Sequence, residues 1–349
     1  MKKLLLVTIL IISLCAFSAF SFFGCSKGVE SITIAVPDGG PALGMSYLMK
    51  EFPTEIDGVA VTYKIVDGAN GIKAAVSSGE ADVAIMPTNM AAILYNGGLD
   101  IKLVGTNSYG LLYLLSDETT SEAFTLASLK GQVLNTLGKG GTPEIVLKKV
   151  LESAEIEYVE SDVAVEGKVA LKFHDEGKTI IAGLKQGKIH YAILGEPAVS
   201  TAIAQVGGSL SIVCDMQEAW KIATNTNASY PQTSLVAKAS LIQSDKKLVQ
   251  KIAKLTFEGS VKLMKDAAPY IAELQAREAT VPAVFGAAGV ARTNITPEFG
   301  SKAKADVEAY FTILKAFKAP LIGGNLPDDD FYYIDEELES NIEILKAFA

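Results

Sequence analysis

The chain carries one unit twice, and a chain that does so is biased toward two similar halves. Gly39-Gly40-Pro41 follows an apolar run at 32–36 and opens a helical stretch at 42–50. Gly140-Gly141-Thr142-Pro143 follows a run at 133–137 and opens another at 144–151. A second element recurs. Residues 78–89, through Met86-Pro87-Thr88-Asn89, read as helix end, strand, tight turn and new helix, and so do residues 186–197, through Gly195-Glu196-Pro197. Each copy runs on to a glycine pair, Gly97-Gly98 and Gly207-Gly208. A glycine-loosened turn from strand to helix presents free N–H groups and the positive helix end to a small ligand. Two such lobes facing each other make a cleft lined from both sides. The plainer account is that any α/β protein yields strand–glycine–helix units.

The first residues carry an address. Lys2-Lys3, an apolar run at 4–23 and then Gly24-Cys25-Ser26 form the pattern of a secretory signal at 1–24. An uncleaved membrane span is the alternative for a run of this length. Cys15 lies within the signal, which leaves Cys214 as the one internal thiol and no internal disulfide to support the exported fold. In Ser211-Ile212-Val213-Cys214 that thiol reads as a buried strand residue. Removing the signal takes away two lysines and no acid, so the formal charge moves from −9 to −11. So acidic a chain is a poor partner for nucleic acid, whose phosphates need a basic face. It points to small-molecule work.

Strand and helix signals alternate, which argues for two mostly parallel sheets flanked by helices, an α/β fold. Strand candidates at 32–36, 59–66, 82–86 and 101–105 belong to a first lobe, and a long apolar strand at 109–115 crosses out of it. The second lobe runs through the repeated units. A loop rich in Asn, Ser and Thr at 225–232 then leads to a returning strand at 233–238. Helical spacing at 246–265, 267–276 and 301–317 closes the first lobe. The division is therefore 31–114 plus 236–349 for lobe 1 and 115–235 for lobe 2, joined by a two-strand hinge.

Several motifs together resemble a known family. They are Phe22-Phe23-Gly24-Cys25, which is similar to a bacterial lipobox with Phe22 where Leu is usual, the paired glycine turns, Met86-Pro87-Thr88-Asn89, Gly195-Glu196-Pro197 and Gly323-Gly324-Asn325-Leu326-Pro327. The chain resembles the solute-binding lipoproteins of ABC importers, in the branch for nitrate, sulfonates, taurine and thiamine precursors, over about residues 31–333. That resemblance implies a two-lobed type II periplasmic-binding fold. It implies an exported protein, acylated at Cys25 and anchored on the outer face of the cell membrane. Such a protein works as a monomer, hands one small solute to an ABC permease and needs no cofactor.

The candidate ligand contacts follow. Gly39, Gly40 and Pro41 let the backbone approach a ligand at one helix start, Gly140, Gly141 and Thr142 do so at the opposing one, and the Asp38 carboxylate either accepts from a ligand N–H or favours its own helix end. The alternative for the first turn is an ordinary αβ turn with proline at the first helical position. Thr88, beside Asn89, and Thr142 can each cap a helix through the hydroxyl, with capping the favoured role for Thr88. Glu196 either accepts from a ligand N–H or favours its own helix end. Tyr47, Tyr109, Tyr113 and Trp220 can sandwich a flat ring or simply pack. Arg277 and Arg292, the two arginines, fall in the late helical part away from the cleft turns, which demotes sulfonate without excluding it, while the acids and aromatics lean toward a heteroaromatic, pyrimidine-like solute.

Enzyme chemistry finds little support. His174 and His190 are the two histidines, and His190 reads as a packed mid-strand residue. His174-Asp175-Glu176 are adjacent rather than convergent, so no metal site is expected. Asp328-Asp329-Asp330 lacks the spaced ligands of a calcium loop. There is no G-x-S-x-G, H-E-x-x-H or C-x-x-C motif. The expectation is a receptor that catalyses nothing. The alternatives are an exported α/β enzyme or transferase using the same cleft, and a lipoprotein that senses a solute without transport.

Overall fold

A computed structural model describes residues 28–137, 139–281 and 285–348. The signal segment 1–24 and Cys25 lie outside the described residues.

Two six-stranded sheets form. The first contains β1 (Ser31–Pro37), β2 (Glu55–Ile56), β3 (Val59–Val66), β4 (Val83–Pro87), β5 (Ile101–Tyr109) and β12 (Pro231–Lys238). The second contains β6 (Leu112–Ser116), β7 (Val133–Leu137), β8 (Tyr158–Glu160), β9 (Val169–His174), β10 (Tyr191–Gly195) and β11 (Ser211–Asp215). Their orders, β2-β3-β1-β4-β12-β5 and β8-β9-β7-β10-β6-β11, match position for position, except that the edge strand β2 runs antiparallel to β3 while β8 runs parallel to β9. The duplication seen in the turns is thus a duplication of topology. In each sheet one strand delivered by a crossing runs antiparallel to both neighbours: β12 between β4 and β5, and β6 between β10 and β11. The sheets are therefore mixed. Parallel neighbours need a crossover, and helices supply it, so helices begin at the C-terminal ends of β1, β3, β4, β7, β9 and β10.

Three local expectations change. The strand predicted at 109–115 breaks at Gly110-Leu111. A Cβ at Gly110 would overlap the Tyr230 ring and the Gln217 side chain, so the crossing is tightly packed. The helix predicted at 42–50 divides into Gly40–Leu43 and Ser46–Glu51. Asn107 of β5 lies against the gap, where any side chain at Gly44 would meet its carboxamide. The loop predicted at 225–232 ends earlier, because Pro231 and Gln232 already belong to β12.

One hydrophobic cluster runs through both lobes, from Met86 and Ala84 through Leu112, Leu134 and Trp220 to Tyr310 and Phe311. The helices Lys246–Lys265 and Gly300–Lys318 pack on the first lobe, the former against Ser46–Glu51 and the latter against β5. Cys214 is half-buried, and burial followed by the Asp215 charge pushes its thiol up to about 11, which leaves it unreactive. No helix among the described residues is long and apolar enough to cross a membrane.

Candidate functional site

The six helix starts that follow parallel strands have Gly39, Asp67, Pro87, Gly141, Glu176 and Pro197 at the N-cap, and none of these side chains accepts a capping hydrogen bond. Two other α-helices are capped by a side chain: Asp215 accepts from the N–H groups of Gln217 and Glu218, and Asp245 from that of Leu248. Two of the six turns are served by a nearby carboxylate, Glu144 inside its helix and Glu196 just before the N-cap. Glu144 accepts from the Gly140 N–H, and Glu196 from the Ser200 N–H at 3.1 Å. Of the other four ends, besides that at Thr88, no side chain caps the turns at Gly39, Gly68 and Gly177, and of these the Gly39 N–H is itself taken by Asp38.

Those three positions line one cleft of about 1060 Å³ between the lobes. Asp38, Gly39, Asp67 and Gly68 form one wall, and Gly177, Lys178 and Pro197 stand on the other. Lys178 pairs with Glu176 at 2.8 Å, while Lys185 adds a second cation to that wall. Helix ends on both walls, with Lys178 and Lys185 on the second, make a place for a small anion. Asp38 is occupied locally, accepting from the N–H of Gly39 at 2.7 Å and that of Thr280 at 2.8 Å.

The first glycine turn opposes the Glu196-Pro197 turn. A Cβ at Gly40 would lie 3.1 Å from the Glu196 carbonyl, and one at Gly39 would lie 3.8 Å from Pro197 Cδ. Pro41 sits at the first turn of its short helix, where its missing N–H is harmless. Gly140 has no neighbour that a Cβ would touch, and Gly141 precedes the helix Thr142–Ser153. Thr142 is buried beside the Tyr310 phenol, short of hydrogen-bond geometry.

Neither threonine caps. Thr88 stands inside its helix rather than before it, and its hydroxyl is 2.8 Å from that of Ser234 on β12. Asn89 donates to the Leu321 carbonyl at 3.2 Å and so secures the back of the first lobe. Tyr109 donates to Asp306 at 2.5 Å, and burial, then that bond, pushes its pKa well up. Trp220 is 2% exposed and stacks edge-on to Tyr230 and Tyr310. Tyr47 packs against Phe52 and Tyr270, and Tyr113 is buried with its hydroxyl on the Arg292 carbonyl. The four rings proposed as a sandwich thus each have separate partners and do not stack on one another.

The arginine expectation is overturned. Arg292 reaches the Glu196 turn, with Nε 2.6 Å from Oε1 and Nη2 3.1 Å from Ser200 Oγ. The partners are 96 positions apart, so no local pattern in the sequence could have joined them. His190 is likewise not a packed strand residue. It precedes β10, its side chain is 44% exposed, and its Nδ1 lies 3.0 Å from Asp117. His174 Nε2 is 2.8 Å from Asn135 Oδ1, with its pKa lowered by burial and then by Lys172. No group of three or more His, Cys, Asp or Glu that could hold a metal occurs among the described residues.

No protein-family model matches the sequence, and no curated protein does. Solved structures do. The chain is similar to an ABC transporter from Parabacteroides distasonis, at 24% identity and TM-score 0.74, over 88% of this chain and 99% of that one. It is similar to the periplasmic aliphatic sulphonate binding protein SsuA from Escherichia coli, at 16% identity and TM-score 0.64, over 86% and 96%. The alkanesulfonate-binding protein SsuA from Xanthomonas axonopodis pv. citri, bound to MOPS, superposes at TM-score 0.60 and 14% identity, over 88% and 100%. At these identities the likeness is one of fold. Its twin sheets, reversed crossing strands and cleft at the helix starts give this chain the SsuA-like, two-lobed fold of the periplasmic solute-binding proteins of ABC transporters.

Proposed function

We propose that the protein is the extracytoplasmic solute receptor of an ABC importer, held to the membrane by a lipid on Cys25, and that it captures a small sulfonate-like anion between its lobes. The observation that carries this reading is the set of uncapped helix starts on both walls of the cleft. Helix-end amides hold an anion without an arginine fork. The absence of a free arginine at the cleft therefore no longer weighs against sulfonate, and the separate packing of the aromatic side chains removes the support for a flat heteroaromatic solute. The lobes move about the crossings at Gly110-Leu111 and 225–230, a hinge closure around the solute. The monomer delivers the solute unchanged to a permease.

A thermal-shift screen tests this. An alkanesulfonate such as MOPS, present at a hundredfold over its Kd, should stabilise the protein by about 2.7 kcal/mol. Mass spectrometry should recover it unaltered. Stabilisation by neutral pyrimidines with none by sulfonates would reverse the solute assignment, and a chemically altered solute would establish an enzyme. Separately, Cys25→Ser should move the protein from membrane to soluble fractions, because acyl chains contribute ~0.8 kcal/mol per buried CH₂. Tight membrane association of that variant would point to an uncleaved anchor.

A further inference from the structure

The Glu196 carboxylate is fully buried, yet its partner comes from the other lobe. Glu196 directly follows β10 in the second lobe, whereas Arg292 closes the helix Ala287–Ala291, whose Val290 packs in the first-lobe core. The guanidinium meets Glu196 Oε1 at 2.6 Å and Ser200 Oγ at 3.1 Å, and Ser200 itself donates to Glu196 at 3.0 Å. Two more bonds join the same segments: Tyr113 of β6 donates to the Arg292 carbonyl at 3.1 Å, and Asn294 donates to the Gly110 carbonyl at the crossing. The first glycine turn lies directly over the Glu196 backbone, so parting the lobes here would also open the cleft.

We propose that Arg292 and Glu196 form an inter-lobe clasp that holds the cleft closed and slows solute release without recognising the solute. The chemistry excludes a double role. Glu196 spends its two oxygens on Ser200 and Arg292, and the guanidinium is directed at them. Moving the lobes apart would exchange this charge-assisted bond for hydration of the two groups, a net loss that favours the closed form. The clasp gains its significance from the receptor reading above, but its test can be made on solute-free protein.

Small-angle scattering of wild type, Arg292→Met and Glu196→Gln without solute is the direct measurement. Wild type should match the radius of gyration of the closed structure, and both variants should be larger. Glu196→Gln keeps the size and the Ser200 contact, so it should fold even if Arg292→Met does not, and circular dichroism checks this. With any solute that binds, the variants should release it about ten- to a hundredfold faster, the range for one charged hydrogen bond. Preference between sulfonate and carboxylate analogues should not change. The double variant should be no more open than either single one. An extended solute-free wild type, variants as compact as wild type, or a changed analogue preference would each overturn the clasp. Failure of every solute tested would count against the sulfonate assignment and leave the scattering result standing.

Discussion

Trp220→Ala should lower stability by about 3–5 kcal/mol, the usual cost of emptying a large aromatic site. Trp220 lies on the helix Met216–Thr224 of the second lobe, and its ring centroid is 5.4 Å from that of Tyr230 and 5.9 Å from that of Tyr310, both edge-on. Tyr310 comes from the helix Gly300–Lys318, which packs on the first lobe. The cluster therefore joins the two halves beside the hinge, and little around it can collapse to fill the void. Urea titration should show the loss as a lower midpoint with an unchanged slope. Solute affinity of the folded protein should stay within a few-fold. A collapse of affinity at unchanged stability would instead make Trp220 a ligand platform.

Asp335→Ala should cost a comparable amount, about 3 kcal/mol or more, because it removes the centre of a buried polar network. Asp335 accepts from Lys246 at 2.6 Å, Tyr333 at 2.7 Å, the Leu338 N–H at 2.9 Å and Gln250 at 3.0 Å. Its side chain is 2% exposed. These bonds fasten the helix Glu336–Phe348 to the helix Lys246–Lys265. Burial acts to raise its pKa, but the bonds from Lys246, the Leu338 N–H, Tyr333 and Gln250 outweigh it and hold the carboxyl well below the usual range. A depressed folded pKa means stability that is present above the unfolded value of about 4 and lost as pH falls toward the folded one. Denaturation midpoints of wild type should fall with acid across that window. Asp335→Asn should show a shallower fall, and an equally steep one would remove Asp335 as a cause.

The parts of the fold that were legible are those whose signal is local. Apolar runs placed β1, β3, β4 and β7 within a residue or two, and the glycine turns after β1 and β7 fell where expected. Two boundaries failed where a distant side chain intrudes. Asn107 lies against Gly44, and Tyr230 crowds Gly110. The same limit governs the site. Asp38, Gly39, Gly40 and Glu196 were all candidates, and the structure brings them to one inter-lobe contact. Gly68 and Gly177 were missed, although each stands at the start of a helix after an apolar strand, the signal already used for Gly40. Arg292 was dismissed because its distance along the chain hid its position in space.

What the sequence determined by itself was the pair of matching α/β units and the turns at which their helices begin, because side-chain periodicity and glycine freedom act within a few residues. The tertiary structure alone decided which turn meets which, and which polar groups remain free. Glu196 and Glu144 serve two of the turns and Asp38 takes the Gly39 N–H, while no side chain caps the helix starts at Gly68 and Gly177 on the cleft walls. An amide or carboxylate is available to a ligand only if no other part of the chain has reached it first, and that depends on contacts between residues far apart in sequence.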